Sequence, residues 1–383
     1  MPLLRNALRL YRRKAKRPLV AVAGSARATS SPRGRTGKSR RVVSQPPRIL
    51  VVAPNWIGDA VLAQPLLARL KVLYPGASID VLAPAWVASV LHRMPEVSRV
   101  VITPFDHGPL HWKSRRSIAR ELSTRGYGRA YVLPNSFKSA LIPWLIGIAH
   151  RVGYHGESRY IVLNERHRLQ EKLVPLMVDR YAQLAEPIGR GAAKPVAMPR
   201  LRVDQGNLVE SLAQLKLSLA PRIIAFCPGA EYGPAKRWPT RHFAALATYF
   251  HSKGYQVWLF GSSKDAAVCS EIESLAPGTC VNLTGRTTLG TAIDLLSRAE
   301  LVVTNDSGLM HIAAAVHRPV LAIYGSSSPH HTPPLSERVS IARLDLECSP
   351  CFARECPLKH MDCLNTLTVE QVIGHARNLG FGD

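Results

Sequence analysis

Three short loops and one cysteine cluster hold the side chains of this sequence that could do chemistry. The first loop is Pro54-Asn55-Trp56-Ile57-Gly58-Asp59, which follows an apolar run and opens into Ala60-Val61-Leu62. A carboxylate placed there could take a proton from a bound hydroxyl; equally, Asp59 could be the cap of a helix. The second is Pro228-Gly229-Ala230-Glu231-Tyr232-Gly233-Pro234-Ala235-Lys236-Arg237-Trp238-Pro239. Its glycines allow close approach to an anion, and Lys236 and Arg237 stand beside a helix start whose free N–H groups favour negative charge. The spacing is not that of a Walker A loop, and the alternative is an ordinary solvated basic turn. The third, Thr304 to Ala315 (TNDSGLMHIAAA), puts the amides of Ser307 and Gly308 at a helix start suited to a diphosphate. His311 follows Ser307 by one turn on the same face, where a lone histidine usually serves structure through a hydrogen bond. Asp306 could be a cap. Finally, Cys348, Cys351, Cys356 and Cys363 lie within sixteen residues. Thiolates so spaced could close around zinc or an iron–sulfur centre as a structural site, or simply pack a loop as free thiols, since the spacing fits no standard finger.

Each loop needs a strand to place it. Apolar runs at 48–53, 78–83, 99–103 and 130–133, then at 222–228, 255–260, 301–305, 319–324 and 339–343, read as buried parallel strands. Helical patterns at 60–73, 115–125, 240–252, 265–275 and 290–298 alternate with them. That rhythm predicts an α/β fold of two doubly wound, Rossmann-like domains facing each other across a cleft. Gly189, Gly191, Pro195, Pro199 and Pro221 interrupt the pattern, so residues 48–200 form the first domain, 201–221 a linker, 222–367 the second domain, and 368–383 a C-terminal helix. In such sheets ligands bind outside the carboxyl ends of the strands, where the three loops stand.

The chain has 383 residues and a net charge of +24, but residues 1–47 carry thirteen Lys and Arg and no acid, leaving +11 for the remainder. This Ser-, Gly- and Pro-rich segment reads as a disordered basic extension: a polybasic surface-binding tail, an organellar presequence or an over-extended start. No apolar run is long enough to span a bilayer. Seven cysteines fit a reducing cytoplasm. The charge invites a nucleic-acid-binding reading, yet no RNP, KH or helix-turn-helix pattern is present, and no nucleic-acid partner is expected.

Taken together, Gly58-Asp59, PGAEYGPAKRWP at 228–239 and NDSGLMHIAAA at 305–315 resemble the ADP-heptose:lipopolysaccharide heptosyltransferases, glycosyltransferase family 9, nearest its heptosyltransferase II branch. The resemblance runs in order over residues 48–375. It implies a GT-B fold with the acceptor on the first domain, the ADP-sugar on the second, and a last helix at 368–379 that often crosses back to the first domain. It implies Asp59 as general base and Lys236 on the donor diphosphate, with Asp306, Ser307, Gly308 and His311 around the donor sugar and phosphates. Asp265 matches the ribose-binding acid loosely. The expected reaction is inverting transfer of L-glycero-D-manno-heptose from ADP-heptose to the inner-core heptose of lipopolysaccharide, at the inner face of the cytoplasmic membrane. No cofactor is expected, because Lys236 and the helix start can neutralise the departing ADP. The phosphorylated, anionic glycolipid acceptor would meet basic residues of the first domain: His107, His111, Lys113, Arg115, Arg116, Arg120, Lys138, Arg151, Arg159, Arg166 and Arg168, although most of these also fit solvated faces. The run 140–148 could dip into a membrane surface or form a buried helix. Rival readings are a GT-B transferase with another donor or acceptor, and a basic nucleic-acid-binding protein.

Overall fold

A computed structural model describes residues 46–105 and 109–382. Most of the basic extension, and His107, lie outside the described residues. The first sheet contains β1 (Arg48–Val52), β2 (Ser78–Pro84), β3 (Arg99–Thr103), β4 (Tyr127–Val132), β5 (His150–Tyr154) and β6 (Glu165–His167). The second contains β7 (Arg222–Cys227), β8 (Tyr255–Leu259), β9 (Cys280–Asn282), β10 (Leu301–Asn305), β11 (Val320–Ile323) and β12 (Val339–Ala342). Their orders are β3-β2-β1-β4-β5-β6 and β12-β11-β10-β7-β8-β9, the same doubly wound arrangement twice, and every pairing is parallel. In each sheet the strand order reverses beside the first strand, at β1/β4 and β7/β10. A crevice therefore opens at the loops after β1, β7 and β10.

The central strands are apolar throughout because helices cover both faces: Ile49 to Val51 and Ile223 to Cys227 are buried. Strands β5, β6 and β9 were not among the runs read from the sequence. All three are short: β6 and β9 are edge strands carrying Glu165, Arg166 and Asn282, which an edge position tolerates, while β5 lies between β4 and β6 but opens on His150 and Arg151, leaving only Val152 to Tyr154 buried. The helical pattern at 60–73 divides into Ile57–Leu62 and Gln64–Leu73, with Pro65 in the first turn of the second helix, where its missing N–H costs nothing. Within the expected linker, Gln205–Gln214 is a helix capped by Asp204, whose side chain accepts from Asn207 N–H.

One hydrophobic core runs through both domains, from Val61 and Leu66 to Met310 and Ala313. A buried ion pair rivets the same face. Arg93 donates to both oxygens of fully buried Asp294 at 2.7 Å, and Asp204 N–H and Asn207 Nδ2 also donate to that carboxylate. The C-terminal helix Val369–Arg377 corrects the crossing-back expectation. Its buried Val372 and Ala376 belong to the second domain's own core, and His375 bonds Ser340 on β12 at 2.8 Å. Its apolar stripe is thus satisfied without the first domain. The segment 140–148 contains the helix Leu141–Ile146, with Leu141, Ile142 and Pro143 buried, which favours the buried-helix alternative.

Candidate active site

Two glycines set the geometry. A Cβ on Gly58 would stand 2.7 Å from His311 Cδ2, and one on Gly308 would stand 3.0 Å from Ile57 Cβ. The helix starts Ile57–Leu62 and Gly308–Ala315 therefore meet across the cleft at a distance that larger residues would not allow. Asp59 is carried on the first, and Ser307 holds the N-cap position of the second.

Asp59 is not the cap of its helix. Trp56 holds that position, Asp59 lies in the first turn, and no described residue donates a hydrogen bond to its carboxylate. Burial pushes its pKa up to about 6; His331 and Lys236 draw it down, and Asp306 raises it. A carboxylate poised there is ionised at neutral pH and basic enough to accept a proton.

Facing it, Lys236 Nζ lies 2.5 Å from Asp306 Oδ2, with only 17% and 6% of the two side chains exposed. Asn305 ties their loops together, its Nδ2 donating to Pro228 O at 2.6 Å while its Oδ1 accepts from Trp238 N–H at 3.2 Å. Lys236 also lies 5.0 Å from the centre of the Tyr232 ring. The Ser307 side chain makes no cap hydrogen bond and approaches Thr304 Oγ1 at 3.4 Å.

His311 is buried and its Nδ1 has no partner, so the hydrogen-bonded role read from the sequence gives way to packing against Gly58. Burial lowers its pKa to about 4 and keeps the ring neutral. Asp265 sits in a capping box, Oδ2 accepting from Ser262 N–H at 2.9 Å and Ser262 Oγ at 2.8 Å. Its carboxylate also fills the space a side chain on Gly229 would need, with 2.3 Å from Oδ1 to the added Cβ. Asp265 thus shapes the mouth of β7 and β8.

Some of the basic residues expected to meet an acceptor do structural work instead. Arg115 is buried and donates to Leu110 O at 2.7 Å and Lys138 O at 2.8 Å. Arg159, also buried, holds Pro134 O at 2.8 Å, Asn135 Oδ1 at 3.1 Å and Tyr154 O. Arg151 donates to Val162 O at 2.9 Å and Arg166 to Tyr160 O at 2.9 Å. Guanidinium groups satisfy several carbonyls at once, which is why they recur where loops must be held. Lys113, Arg116, Arg120 and Arg168 remain exposed and His111 partly so. A cavity of about 70 Å³ opens at the ends of β1–β4, lined by Asn55, Thr103, Arg115, Ser136 and Lys138 among others.

The four clustered cysteines line one cavity of about 50 Å³ together with Ala235 and Ser326. Among the described residues no three His, Cys, Asp or Glu side chains form a group ready to hold a metal.

Sequence reasoning missed His331. Its Nδ1 pairs with Pro175 O at 2.8 Å while its own carbonyl accepts from Met177 N–H at 3.0 Å, so the first domain clasps a second-domain loop beside Asp59. Its place shortly after β11, at a strand's carboxyl end, was the available signal. Tyr181 is buried near Asp59 as well: burial, then the Asp59 charge, push its phenol well above the usual range.

The family model for glycosyltransferase family 9 (heptosyltransferase) matches residues 115–362. The chain belongs to glycosyltransferase family 9. It is 46% identical over 306 residues to lipopolysaccharide heptosyltransferase 2 of Escherichia coli K12, covering 78% of this chain and 88% of the relative. Lipooligosaccharide heptosyltransferase 2 of Haemophilus influenzae is 46% identical over 307 residues, covering 77% and 88%. The solved structure of E. coli ADP-heptose lipopolysaccharide heptosyltransferase II superposes with a TM-score of 0.79 at 42% identity, covering 87% of this chain and 98% of that one. The family 9 member is accordingly an enzyme, a glycosyltransferase of GT-B architecture.

Proposed function

We propose that this family 9 enzyme moves L-glycero-D-manno-heptose from ADP-heptose onto the inner-core heptose of lipopolysaccharide, with inversion, at the cytoplasmic face of the inner membrane. One observation carries the mechanism: a carboxylate free of hydrogen bonds, raised to about 6, faces the Lys236–Asp306 pair across the contact between Gly58 and Gly308. Asp59 takes the proton of the acceptor hydroxyl as its oxygen attacks the anomeric carbon from the face opposite ADP. The bond to the diphosphate breaks, and Lys236 together with the amides at the start of Gly308–Ala315 stabilises the negative charge gathering on ADP. Asp306 holds the ammonium in place before the donor arrives. A single displacement needs no protein nucleophile, and Lys236 supplies the charge at the leaving group.

The similarity to the two heptosyltransferase 2 relatives supports heptose as the sugar and the lipopolysaccharide core as the acceptor. The test combines purified enzyme, ADP-heptose and a Kdo2-lipid A acceptor bearing one heptose. ADP release should accompany a mass gain of one heptose, and the new linkage should have the anomeric configuration opposite to the donor's. Retained configuration would remove the single-displacement mechanism; transfer from a UDP-sugar but not from ADP-heptose would remove the donor assignment.

A further inference from the structure

The six tryptophans divide unevenly between the domains. Trp238 and Trp258 of the second domain are fully buried, whereas Trp56, Trp86, Trp112 and Trp144 of the first are each about 40% exposed. Burying indole is favourable, so four solvated indoles in one domain call for a reason. The topology places most of them together. The sheet is parallel, so the segments that leave its strands emerge along one rim. After β1 comes Trp56, after β2 Trp86, after β3 Leu110 and Trp112, after β4 Phe137, and after β5 Tyr160 and Ile161; all are exposed, Ile161 to 73%. Trp86 Nε1 donates to Asn55 O at 2.8 Å, joining the rim at β1 to that at β2. In the midst of this rim opens the cavity lined by Asn55, Pro84, Thr103 and Ser136.

Charge follows the same rim. The helix Trp112–Leu122 starts at this rim with Lys113 and Arg116 exposed, and neither has an ion-pair partner among the described residues; Arg120, in the last turn, stands at the opposite edge, where its neighbour Glu121 pairs with Arg99 at the start of β3. The corresponding rim of the second domain, around the donor loops, is built differently: its basic Lys236 is paired with Asp306, and its tryptophan is buried. Amphipathic aromatics beside unpaired cations suit one kind of surface, the headgroup layer of an anionic bilayer, where indole sits at the interface and Lys or Arg meets lipid phosphate.

We propose that the carboxyl-end rim of the first domain, with Leu110, Trp112, Phe137, Tyr160 and Ile161 inserted and Lys113 and Arg116 on phosphates, docks the enzyme on an anionic membrane surface. The docked pose turns the mouth of the first-domain cavity toward the lipid, so a lipid-borne sugar reaches it without leaving the bilayer. This deepens the reading of the acceptor given above and depends on it only for that last step.

The test uses the full chain with vesicles of phosphatidylcholine alone or mixed with phosphatidylglycerol. Co-sedimentation should be stronger with the anionic vesicles and should fall as salt rises. Brominated lipid should quench tryptophan fluorescence, and the variant Trp112→Ser should lose part of that quenching. The triple variant Leu110→Ser, Trp112→Ser, Ile161→Ser should bind anionic vesicles at least ten-fold more weakly. It should keep its melting temperature and its rate on a deacylated, water-soluble acceptor, and should lose rate on the same sugar embedded in vesicles. Wild-type vesicle affinity in the triple variant would overturn the proposal and assign any binding to another part of the chain, such as the basic extension. Rim-dependent vesicle binding with no transfer to the soluble acceptor would sink the functional reading and leave the docking surface standing.

Discussion

The mouths of the two sheets make a controlled comparison, since both sheets have the same strand order and both place a loop at the point where that order reverses. After β1 the loop delivers a carboxylate with no hydrogen-bond donor; after β7 it delivers a lysine already held by an acid. On the reading proposed above, one architecture serves opposite tasks. An unpaired, desolvated carboxylate is costly to ionise and therefore basic. A cation paired with an acid is held at a fixed point, where the proposed reading puts the donor diphosphate.

The largest expected effect breaks the acid side alone. Asp59→Asn should lower turnover by about 100-fold to 10,000-fold, the usual loss for a general base, while calorimetry should find ADP affinity within about two-fold of wild type. Near-normal turnover would mean the first mouth holds no base.

Next comes the cation side. Lys236→Ala should lower kcat/KM by about 100-fold and weaken ADP binding as well, because leaving-group charge and ground-state diphosphate are both touched. It should also lower stability by a few kcal/mol in denaturant melts, since Asp306 is left buried without its partner. Donor affinity unchanged in this variant would detach Lys236 from the diphosphate.

The contact between the mouths offers a smaller, purely geometric test. A methyl group on Gly58 would lie 2.7 Å from His311 Cδ2, so Gly58→Ala must displace the buried His311 ring or push the two helix starts apart. Turnover should fall by about ten-fold or more with ADP binding little changed, because misplacement by a fraction of an ångström penalises the reacting geometry more than the donor's contacts.

The last test sharpens the electrostatic contrast. With its folded pKa near 6 against a reference of 3.8, ionised Asp59 is disfavoured by folding. The sign follows: its contribution favours the fold most below about pH 4, declines between pH 4 and 6, and stays at its lowest above 6. Asp59→Asn should therefore raise the melting temperature at pH 8 by a few degrees, corresponding to roughly 1–2 kcal/mol, and the gain should vanish near pH 4. The wild-type rate should fall on the acid side with a one-proton limb near pH 6. A lower melting temperature for the variant at pH 8 would show that Asp59 serves the helix start instead.

What the sequence by itself determined was local. Runs such as Ile49 to Val52 and Leu301 to Val303 are apolar for as long as a buried parallel strand lasts. The turn residues that follow are then bound to stand at a sheet's carboxyl edge. Asp59, Lys236 and Ser307-Gly308 were therefore legible as mouth residues before any contact was known. Edge strands β6 and β9 were not, because a strand with one neighbour can carry charge and loses the pattern that reveals it; β5, paired on both sides, opens on His150 and Arg151, and its apolar stretch is too short to read. Tertiary structure alone decided that Gly58 meets His311, that Arg93 closes on Asp294, that His331 stands beside Asp59, and that Arg115 and Arg159 hold loops. These are outcomes of desolvation and of contacts between residues far apart in the chain. The free energy of a charge depends on which atoms surround it in space, and neighbours along the chain supply few of them.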